Sequence, residues 1–456
     1  MADILPNVSG GEGDGPEPRL EVAVVGGGIV GVVTALGLLH REMQVTVYER
    51  AAQINEIGAG IAFTGVAREC LQRLNPRLLE ILSEVGRRSP RETIRYWDGF
   101  HPRTKEAAER EESSLLFEVP EGDLAFWACL RSHLLLGMAA QLPEGTVQFG
   151  KQLVNYVDVQ GSDRVALAFA DGSTAEADVV IGCDGIHSAT RKLLLGADHP
   201  ATKPSYSHKK FFRAIVPFPG AVAALGPDKA HDYCIHLGPD AHMISFPVNN
   251  AAMYNIFLAI HDPDDWLDPH AMVAPSTRAE ASAALRDWGP HVAEIVNLLP
   301  EQLPKYGVFD MAENPAPAYA CGRVCIAGDA AHASSPFHGA GAGMGVEDAL
   351  VLAELLAQVQ NLPVAVRLRA LPAALEAFSA VRRERSQWLV QSSRDMGDIL
   401  QWRYPATARD SRKIKAEFQR RARKIWDFDV NGMVVEAKTE YRRRVGSLLQ
   451  GHRTTN

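Results

Sequence analysis

Cysteine is scarce in this 456-residue chain, and its distribution excludes several classes of protein. The six cysteines are scattered without the spacing of a metal site or a disulfide framework, and several lie in apolar, strand-like segments that suit buried free thiols. No uninterrupted apolar run has the roughly 18 residues that a membrane-spanning helix needs. We therefore expect a cytoplasmic protein with no membrane span and no bound metal ion.

Positive charge is also in deficit, since 47 lysines and arginines face 55 acidic residues and the net charge is -8. This balance argues against a nucleic-acid partner, and we interpret the basic runs at 419–424 and 442–444 as solvated faces of terminal helices. Residues 1–19 lack the basic start and apolar core of a targeting segment, so we expect a disordered tail. The chain has no Gly-x-Ser-x-Gly or His-Glu-x-x-His motif, so the sequence offers no catalytic residues for a serine hydrolase or a zinc protease.

A glycine fingerprint is the most informative feature that is present. Gly26, Gly28 and Gly31 follow the apolar run from Leu20 to Val25 and open a helical pattern, and Glu49 ends the next apolar run. In this context Gly26 permits a tight turn, Gly28 admits a pyrophosphate to the helix N-terminus, and Gly31 allows close helix–strand packing. Glu49 is placed to accept hydrogen bonds from a ribose, so the sequence predicts an adenine dinucleotide site.

Two later turns extend this prediction. Asp184 follows the buried strand at 177–181, and Asp329 follows a strand at 324–327, where it can bond a polyol chain. The segment from Pro336 to Gly343 offers backbone amides over a helix N-terminus, which suits an anionic ring or oxygen. His332 and His338 lie nearby without a third ligand, and we interpret them as structural or pocket-lining residues.

From Leu20 to Gln391 the sequence resembles the single-component FAD-dependent aromatic hydroxylases, a group that includes para-hydroxybenzoate and salicylate hydroxylases. The resemblance implies that Arg131 lies near the FAD phosphates, that Asp184 contributes to both FAD and NAD(P)H binding, and that Asp329 binds the ribitol. The remaining residues that the resemblance assigns to FAD are Gly26, Gly28 and Gly31 at the pyrophosphate, Glu49 at the ribose, Gly341, Ala342 and Gly343 beside the isoalloxazine, and Gly60 and Ala62 on its other side.

The resemblance also implies an α/β fold with a Rossmann-type FAD-binding domain, an inserted, mainly β substrate domain and a helical C-terminal tail. Alternating apolar positions between Phe211 and Ile260 agree with the inserted sheet. We expect an FAD-binding domain at 20–85, 125–200 and 305–375, a substrate domain at 86–124 and 201–304, and C-terminal helices at 376–456. The helical tail is compatible with a homodimer.

Within this group, segments 206–213 and 229–242 resemble fungal enzymes that dearomatise resorcinol-type rings in polyketide biosynthesis. The resemblance implies that Arg213 holds the substrate as a phenolate, although a structural ion pair is an equal alternative. Phe246 stands where these relatives carry a tyrosine partner and cannot donate a hydrogen bond. Tyr233, His236 and Trp127 are the candidates to replace that tyrosine, and we expect Phe246, Trp127 and Pro336 to line the substrate pocket.

The sequence therefore predicts an FAD-dependent monooxygenase that inserts one atom of O2 into a phenolic ring. No second glycine fingerprint follows Gly31, so NAD(P)H is expected to bind transiently. Three alternatives stay open: a salicylate- or hydroxybenzoate-type ring hydroxylase, a flavin oxidase or dehydrogenase, and a non-enzymatic scaffold stapled by FAD.

Overall fold

The structure is a computed structural model that describes residues 18–54, 60–88, 93–101, 114–120, 126–158, 164–248, 252–268 and 271–451. The predicted N-terminal tail lies almost wholly outside the described residues. The strands are β1 Glu21–Val25, β2 Gln44–Glu49, β3 Gly60–Phe63, β4 Arg87–Arg88, β5 Thr93–Asp98, β6 Leu115–Pro120, β7 Trp127–Leu130, β8 Val147–Phe149, β9 Leu153–Asp158, β10 Val165–Phe169, β11 Thr174–Ala177, β12 Val179–Gly182, β13 Ser205–Pro217, β14 Cys234–Gly238, β15 Ala241–Val248, β16 Met253–His261, β17 Val273–Thr277, β18 Gln302–Asp310, β19 Ala320–Cys321 and β20 Val324–Ile326.

The helices complete the description of the elements. They are α1 Ile29–Leu39, α2 Gly65–Leu74, α3 Pro76–Val85, α4 Arg131–Ala139, α5 Ala189–Leu195, α6 Phe218–Leu225, α7 Pro227–Ala230, α8 Arg278–Ala284, α9 Pro290–Val296, α10 Asp329–His332, α11 Gly341–Gln360, α12 Val364–Leu400, α13 Ser411–Trp426 and α14 Val430–Gly451, with short 3-10 turns at Pro200–Thr202 and Pro336–His338.

A mainly parallel sheet organises the first half of the molecule. Its strand order is β19-β20-β12-β1-β2-β8, and β1 lies parallel to both β12 and β2. Successive residues of β1 point to opposite faces, so Val22 and Val24 pack in the helical core with α1 and α11. Ala23 and Val25 pack instead against the three-stranded sheet β11-β10-β9. Burial on both faces explains why β1 is almost entirely apolar.

A second sheet forms the floor of the site. It has eight strands in the order β17-β18-β13-β16-β15-β14-β5-β6, and the β14–β5 pair is its parallel pair. On one face, Phe212, Tyr254 and Ile256 pack with α6 and α9 in a separate core. The opposite face, which carries Phe211 and Phe257, borders a cavity that extends to the β1–α1 turn, and β6 is an edge strand of this sheet.

Helices dominate the C-terminal quarter. The 37-residue α12 packs against α11 and α14, and α13 packs against β6. None of the helices in the described ranges is long and apolar enough to cross a lipid bilayer. The predicted combination of a Rossmann-type α/β sheet, a mainly β sheet and a helical tail is confirmed, whereas the exact domain boundaries stay a prediction.

Candidate active site

The glycine turn between β1 and α1 has the geometry that a dinucleotide requires. Gly26 has a φ of +105°, and a Cβ atom there would lie 2.5 Å from the carbonyl oxygen of Cys183. A Cβ on Gly31 would lie 1.9 Å from the carbonyl oxygen of Gly26, so neither position tolerates a side chain. Gly28 borders open space and begins α1 without a side-chain cap. The first N–H groups of α1 are therefore available to a phosphate.

Glu49 is fixed beside this turn by two backbone hydrogen bonds. Its Oε2 accepts from the amide of Gly27 at 2.6 Å, and its Oε1 accepts from the amide of Ala51 at 2.8 Å. It lines a cavity of about 320 Å³ that Gly26, Gly28 and Asp184 also border. Each carboxylate oxygen keeps a further lone pair, so Glu49 can still accept a hydroxyl from a ribose in that cavity.

Asp184 has a structural task in addition to its place in this cavity. Its carboxylate accepts from the Ser188 hydroxyl at 2.5 Å, and from the amide and hydroxyl of Thr190 at 2.9 and 3.0 Å. These bonds order the turn that leads into α5. The Cα of Asp184 lies 3.0 Å from where a Cβ of Gly26 would be, so the turn also packs on the glycine fingerprint.

A second cavity, of about 460 Å³, runs from Gly28 to the eight-stranded sheet. Asp329 is exposed and faces this cavity, and its role in holding the ribitol stays a prediction. The N-terminus of α11 borders it without a side-chain cap, so its N–H groups are also available. The other predicted cofactor residues that line it are Gly60, Ala62, Arg131, Gly341 and Ala342. Gly343 lies behind this lining, where a Cβ would come 3.1 Å from the Cβ of Ala67.

A buried ion network supports the turn that carries Asp329. Asp348 accepts from the amide of Gly328 at 3.0 Å, from His332 Nε2 at 2.5 Å and from Arg382 Nε at 2.8 Å. Burial raises the pKa of Asp348. The positive charges and hydrogen bonds of His332 and Arg382 outweigh this effect and lower the pKa to about 2. Arg382 also pairs with Glu347 at 2.8 Å. Sequence reasoning missed Arg382, although an arginine among apolar helix positions was a signal.

One face of the eight-stranded sheet forms the far wall of the larger cavity. Arg213 projects from β13 into this wall, is half-buried, and stands over the ring of Tyr306 with its Cζ 5.2 Å from the centroid. Within the described ranges Arg213 makes no ion pair and no hydrogen bond. The alternative that Arg213 forms a structural ion pair therefore has no support among these residues. The side chains of this wall are otherwise largely apolar, and its lining residues are Ile94, Tyr96, Phe211, Arg213, Tyr233, Ile235, Ile244, Phe246, Asn255 and Phe257.

Tyr233 and Phe246 lie together in this wall. Their rings are stacked with centroids 4.9 Å apart, and a Cβ on Gly60 would come 2.9 Å from the tip of the Phe246 ring. Pro336 lines the same cavity from the turn before α11. Tyr233, Phe246 and Pro336 are therefore all brought to the cavity that Arg213 borders.

His236 does not lie in this cavity, which corrects its sequence-based assignment as a catalytic candidate. Ile235 on β14 and Tyr233 just before this strand face the cavity. Alternation along β14 places His236 on the opposite face, beside Gly99 and 5.5 Å from the ring of His291. Burial, followed by the charges of His291 and Lys229, lowers its pKa well below the ordinary value. His236 therefore contributes to packing behind the sheet.

Trp127 is also absent from the cavity lining. Its ring lies against the Arg68 guanidinium, whose Cζ is 4.8 Å from the centroid, and it packs on the helical core. The preceding residue, Phe126, lines the cavity instead. Adjacent residues of an extended segment point to opposite sides, and the prediction selected the aromatic side chain on the side away from the cavity.

One further wall of the cavity was not predicted from the sequence. Helix α13 packs against the edge strand β6 and borders the cavity, and its lining residues are Phe418, Ala422, Ile425 and Trp426. The Trp426 ring meets Phe126 and Phe418 edge-on, at centroid distances of 5.8 and 5.9 Å. His338 is buried in the lining with Nε2 2.9 Å from the Ser392 hydroxyl, and burial, together with the charge of Arg421, lowers its pKa to about 3. It is pocket-lining, as its sequence context predicted.

The fold and these turns define a dinucleotide-binding flavoprotein in which one long cavity joins the cofactor turns to a mainly apolar chamber. Residues 19–393 match the family described as FAD binding domain. The chain is 64% identical to an FAD-dependent monooxygenase of Aspergillus terreus, over 92% of this chain and 97% of the relative. It is 41% identical to the salicylate hydroxylase asL1 of Sarocladium schorii, over 94% of this chain and 92% of the relative.

A solved structure shows the same fold. A substrate complex of salicylate hydroxylase superimposes with a TM-score of 0.79 at 29% identity, covering 92% of this chain and 98% of that one. The chain belongs to the FAD-binding-domain family of flavoprotein monooxygenases. The predicted activity, an FAD-dependent monooxygenase, and the predicted hydroxylase-like fold are thereby confirmed.

The residues that line the two cavities fit FAD. The uncapped start of α1 beside Gly28 suits the pyrophosphate, Glu49 suits the ribose of the adenosine half, and the exposed Asp329 suits the ribitol. The uncapped start of α11 then faces the end of the cavity nearest the sheet, where the N–H groups of Gly341 and Ala342 suit the flavin ring.

Proposed function

We propose that the protein inserts one oxygen atom of O2 into a phenolic substrate, with NAD(P)H as a transient reductant, and that the reaction is a hydroxylative dearomatisation of a polyketide-type ring. When bound, the reduced flavin activates O2 and supplies the oxygen atom. The observation that carries the proposal is Arg213, a half-buried cation without a carboxylate partner in the described residues, set in a mainly apolar wall of the cavity.

Arg213 sets the charge of the substrate. A fixed cation stabilises a phenolate and therefore lowers the pKa of a bound phenol. The phenolate is the more electron-rich form and accepts oxygen more readily. If the attacked carbon bears an alkyl group, the ring cannot recover aromaticity by loss of a proton, and the product is a quinol.

Tyr233 is proposed to supply the hydroxyl that Phe246 lacks. The two rings are stacked in the cavity wall, so a substrate that contacts Phe246 also lies beside Tyr233. The aromatic rings of Phe211, Phe257 and Trp426 complete the chamber and exclude water. This enclosure also holds the ring in one orientation, which favours attack at a single carbon.

A salicylate-type hydroxylation is the second candidate. It is favoured by the 41% identity to a named salicylate hydroxylase, and Arg213 could pair with a carboxylate as well as with a phenolate. The two reactions differ in their products, because hydroxylation of salicylate with loss of its carboxylate releases CO2 and keeps the ring aromatic.

The decisive experiment is mass spectrometry after incubation of the holoenzyme with NAD(P)H, labelled O2 and a panel of alkylated resorcinols and salicylates. We expect one labelled oxygen atom in a quinol product without release of CO2. Arg213→Ala should lose product while FAD remains bound, whereas Arg286→Ala, at an exposed site, should not. Unchanged product with Arg213→Ala would remove Arg213 from the mechanism.

We further propose a cytoplasmic location, supported by the six free cysteines. A homodimer built through the C-terminal helices stays a prediction from the sequence.

A further inference from the structure

Asn255 is an unusual residue in the chamber wall. It lies on β16, lines the cavity, and is only 3% exposed. Its Oδ1 is buried and has no hydrogen-bond partner in the part of the chain that the structure describes. A buried amide oxygen without a donor costs free energy, so such an atom needs an explanation.

Neither cross-strand neighbour of Asn255 supplies the missing donor. Its cross-strand neighbours are Ile215 on β13 and Phe246 on β15, and neither side chain carries an N–H or O–H group. On its cavity side lies Gly60, where a Cβ would come 3.5 Å from Oδ1. The carbonyl group of Asn255 is therefore an acceptor held in an apolar setting at the edge of the chamber.

Asn255 has a fixed position relative to Arg213. The strand register pairs Arg213 with Phe257 and Ile215 with Asn255, so Arg213 and Asn255 are diagonal neighbours on one face of the sheet. Diagonal neighbours of this kind are within mutual reach of long side chains and of a ligand that lies across them. A single aromatic ring against the β13–β16 pair can meet both.

We propose that Asn255 is a specificity-determining residue that accepts a hydrogen bond from a second ring hydroxyl of the substrate, while Arg213 holds the first oxygen. The proposal rests on the proposed function, because it needs a phenolic ring beside Arg213. It predicts that the preference for a dihydroxylated ring over a monohydric phenol depends on Asn255, since a monohydric phenol held at its oxygen by Arg213 has no second hydroxyl to donate to Oδ1.

The test compares ligands that differ by one hydroxyl. The holoenzyme is titrated with 4-methylresorcinol, with 2-methylphenol and with 4-methylphenol, and Kd is read from the change in flavin absorbance. We expect the wild type to bind 4-methylresorcinol about tenfold more tightly than either methylphenol, because the lost hydrogen bond leaves Oδ1 unpaired again. The mono-methyl ether 3-methoxy-4-methylphenol, which cannot donate at that position, should bind as weakly as the methylphenols.

Asn255→Leu should remove this preference while leaving the Kd of the methylphenols within about twofold of the wild-type value. Asn155→Leu is the matched control, since it makes the same substitution at an exposed strand residue away from the chamber and should preserve the tenfold ratio. Asn255→Ser retains a hydroxyl that can accept, and should keep part of the preference.

Three results would overturn the proposal. The first is equal affinity of the wild type for 4-methylresorcinol, its ether and the methylphenols. The second is a preference for 4-methylresorcinol that survives in Asn255→Leu. The third is a loss of FAD in Asn255→Leu with an unchanged ratio of Kd values, which would make Asn255 a cofactor residue. The wild-type comparison needs no variant, so it can still overturn the proposal if Asn255→Leu does not fold. Failure of every phenol to bind would instead count against the proposed function itself.

Discussion

Replacement of Arg382 by leucine tests whether the C-terminal helices hold the flavin turn together. Arg382 is fully buried and pairs with Asp348 and Glu347, each at 2.8 Å. The variant leaves Asp348 with His332 and the amide of Gly328, whereas Glu347 keeps Arg385 at 2.8 and 2.9 Å. Removal of one partner from a buried pair destabilises a protein by about 3–5 kcal/mol.

The pKa of Asp348 gives a second measure of how much the ion network contributes to the free energy of unfolding. Its folded-state pKa is about 2, below its ordinary value of 3.8. A lowered carboxyl pKa contributes stability that is complete above the unfolded value and is lost as pH falls from about 4 towards 2. The difference corresponds to about 2 kcal/mol at neutral pH, part of which Arg382→Leu should remove.

Urea unfolding, followed by circular dichroism and by release of FAD fluorescence, measures the effect. We expect the midpoint to fall by an amount equivalent to about 3–5 kcal/mol. FAD should be released earlier in the transition than in the wild type, because Asp348 also holds the amide of Gly328. Arg286→Leu, at an exposed site, is the control. A loss below about 1 kcal/mol would refute the view that this network stabilises the turn.

Two further substitutions test the cofactor turn and the chamber. Gly31→Ala should yield protein without FAD, since its Cβ would lie 1.9 Å from the Gly26 carbonyl oxygen. The ratio of FAD to protein after purification measures this effect, and Gly446→Ala, which has open space around it, is the control. Full FAD content in Gly31→Ala would contradict the packing argument. Trp426→Ala should open the chamber to water and divert NAD(P)H oxidation from product to hydrogen peroxide. Leu267→Ala, at a 97% exposed site, is the control and should not change the product yield per NAD(P)H. An unchanged yield in Trp426→Ala would show that Trp426 does not close the cavity.

The cofactor half could be predicted because local chemistry determines it. Gly26 needs a positive φ and Gly31 needs a close backbone approach, and both demands follow from a strand–turn–helix pattern within a few residues. The central sheet was predictable from alternating apolar positions, but alternation does not say which face meets the cofactor. His236 was therefore assigned to the cavity although it lies on the other face.

Long-range contacts account for the rest of what the sequence did not reveal. The amphipathic pattern of α13 predicts a buried face, but not that Phe418 and Trp426 meet the chamber. The pairing of Arg382 with Asp348 joins residues 34 positions apart in two different helices. From the sequence Asn255 is an ordinary strand residue. Only the strand register shows that it lies beside Ile215 and Phe246.

The ionisation state of a bound phenol tests the central claim most directly. A phenol in water titrates near pH 10, so the ultraviolet difference spectrum of 4-methylresorcinol bound at pH 7 reports whether the protein lowers its pKa. We expect a phenolate band with the wild-type holoenzyme and its absence with Arg213→Ala. A neutral phenol in the wild-type complex, or the same phenolate band in Arg213→Ala, would contradict the account.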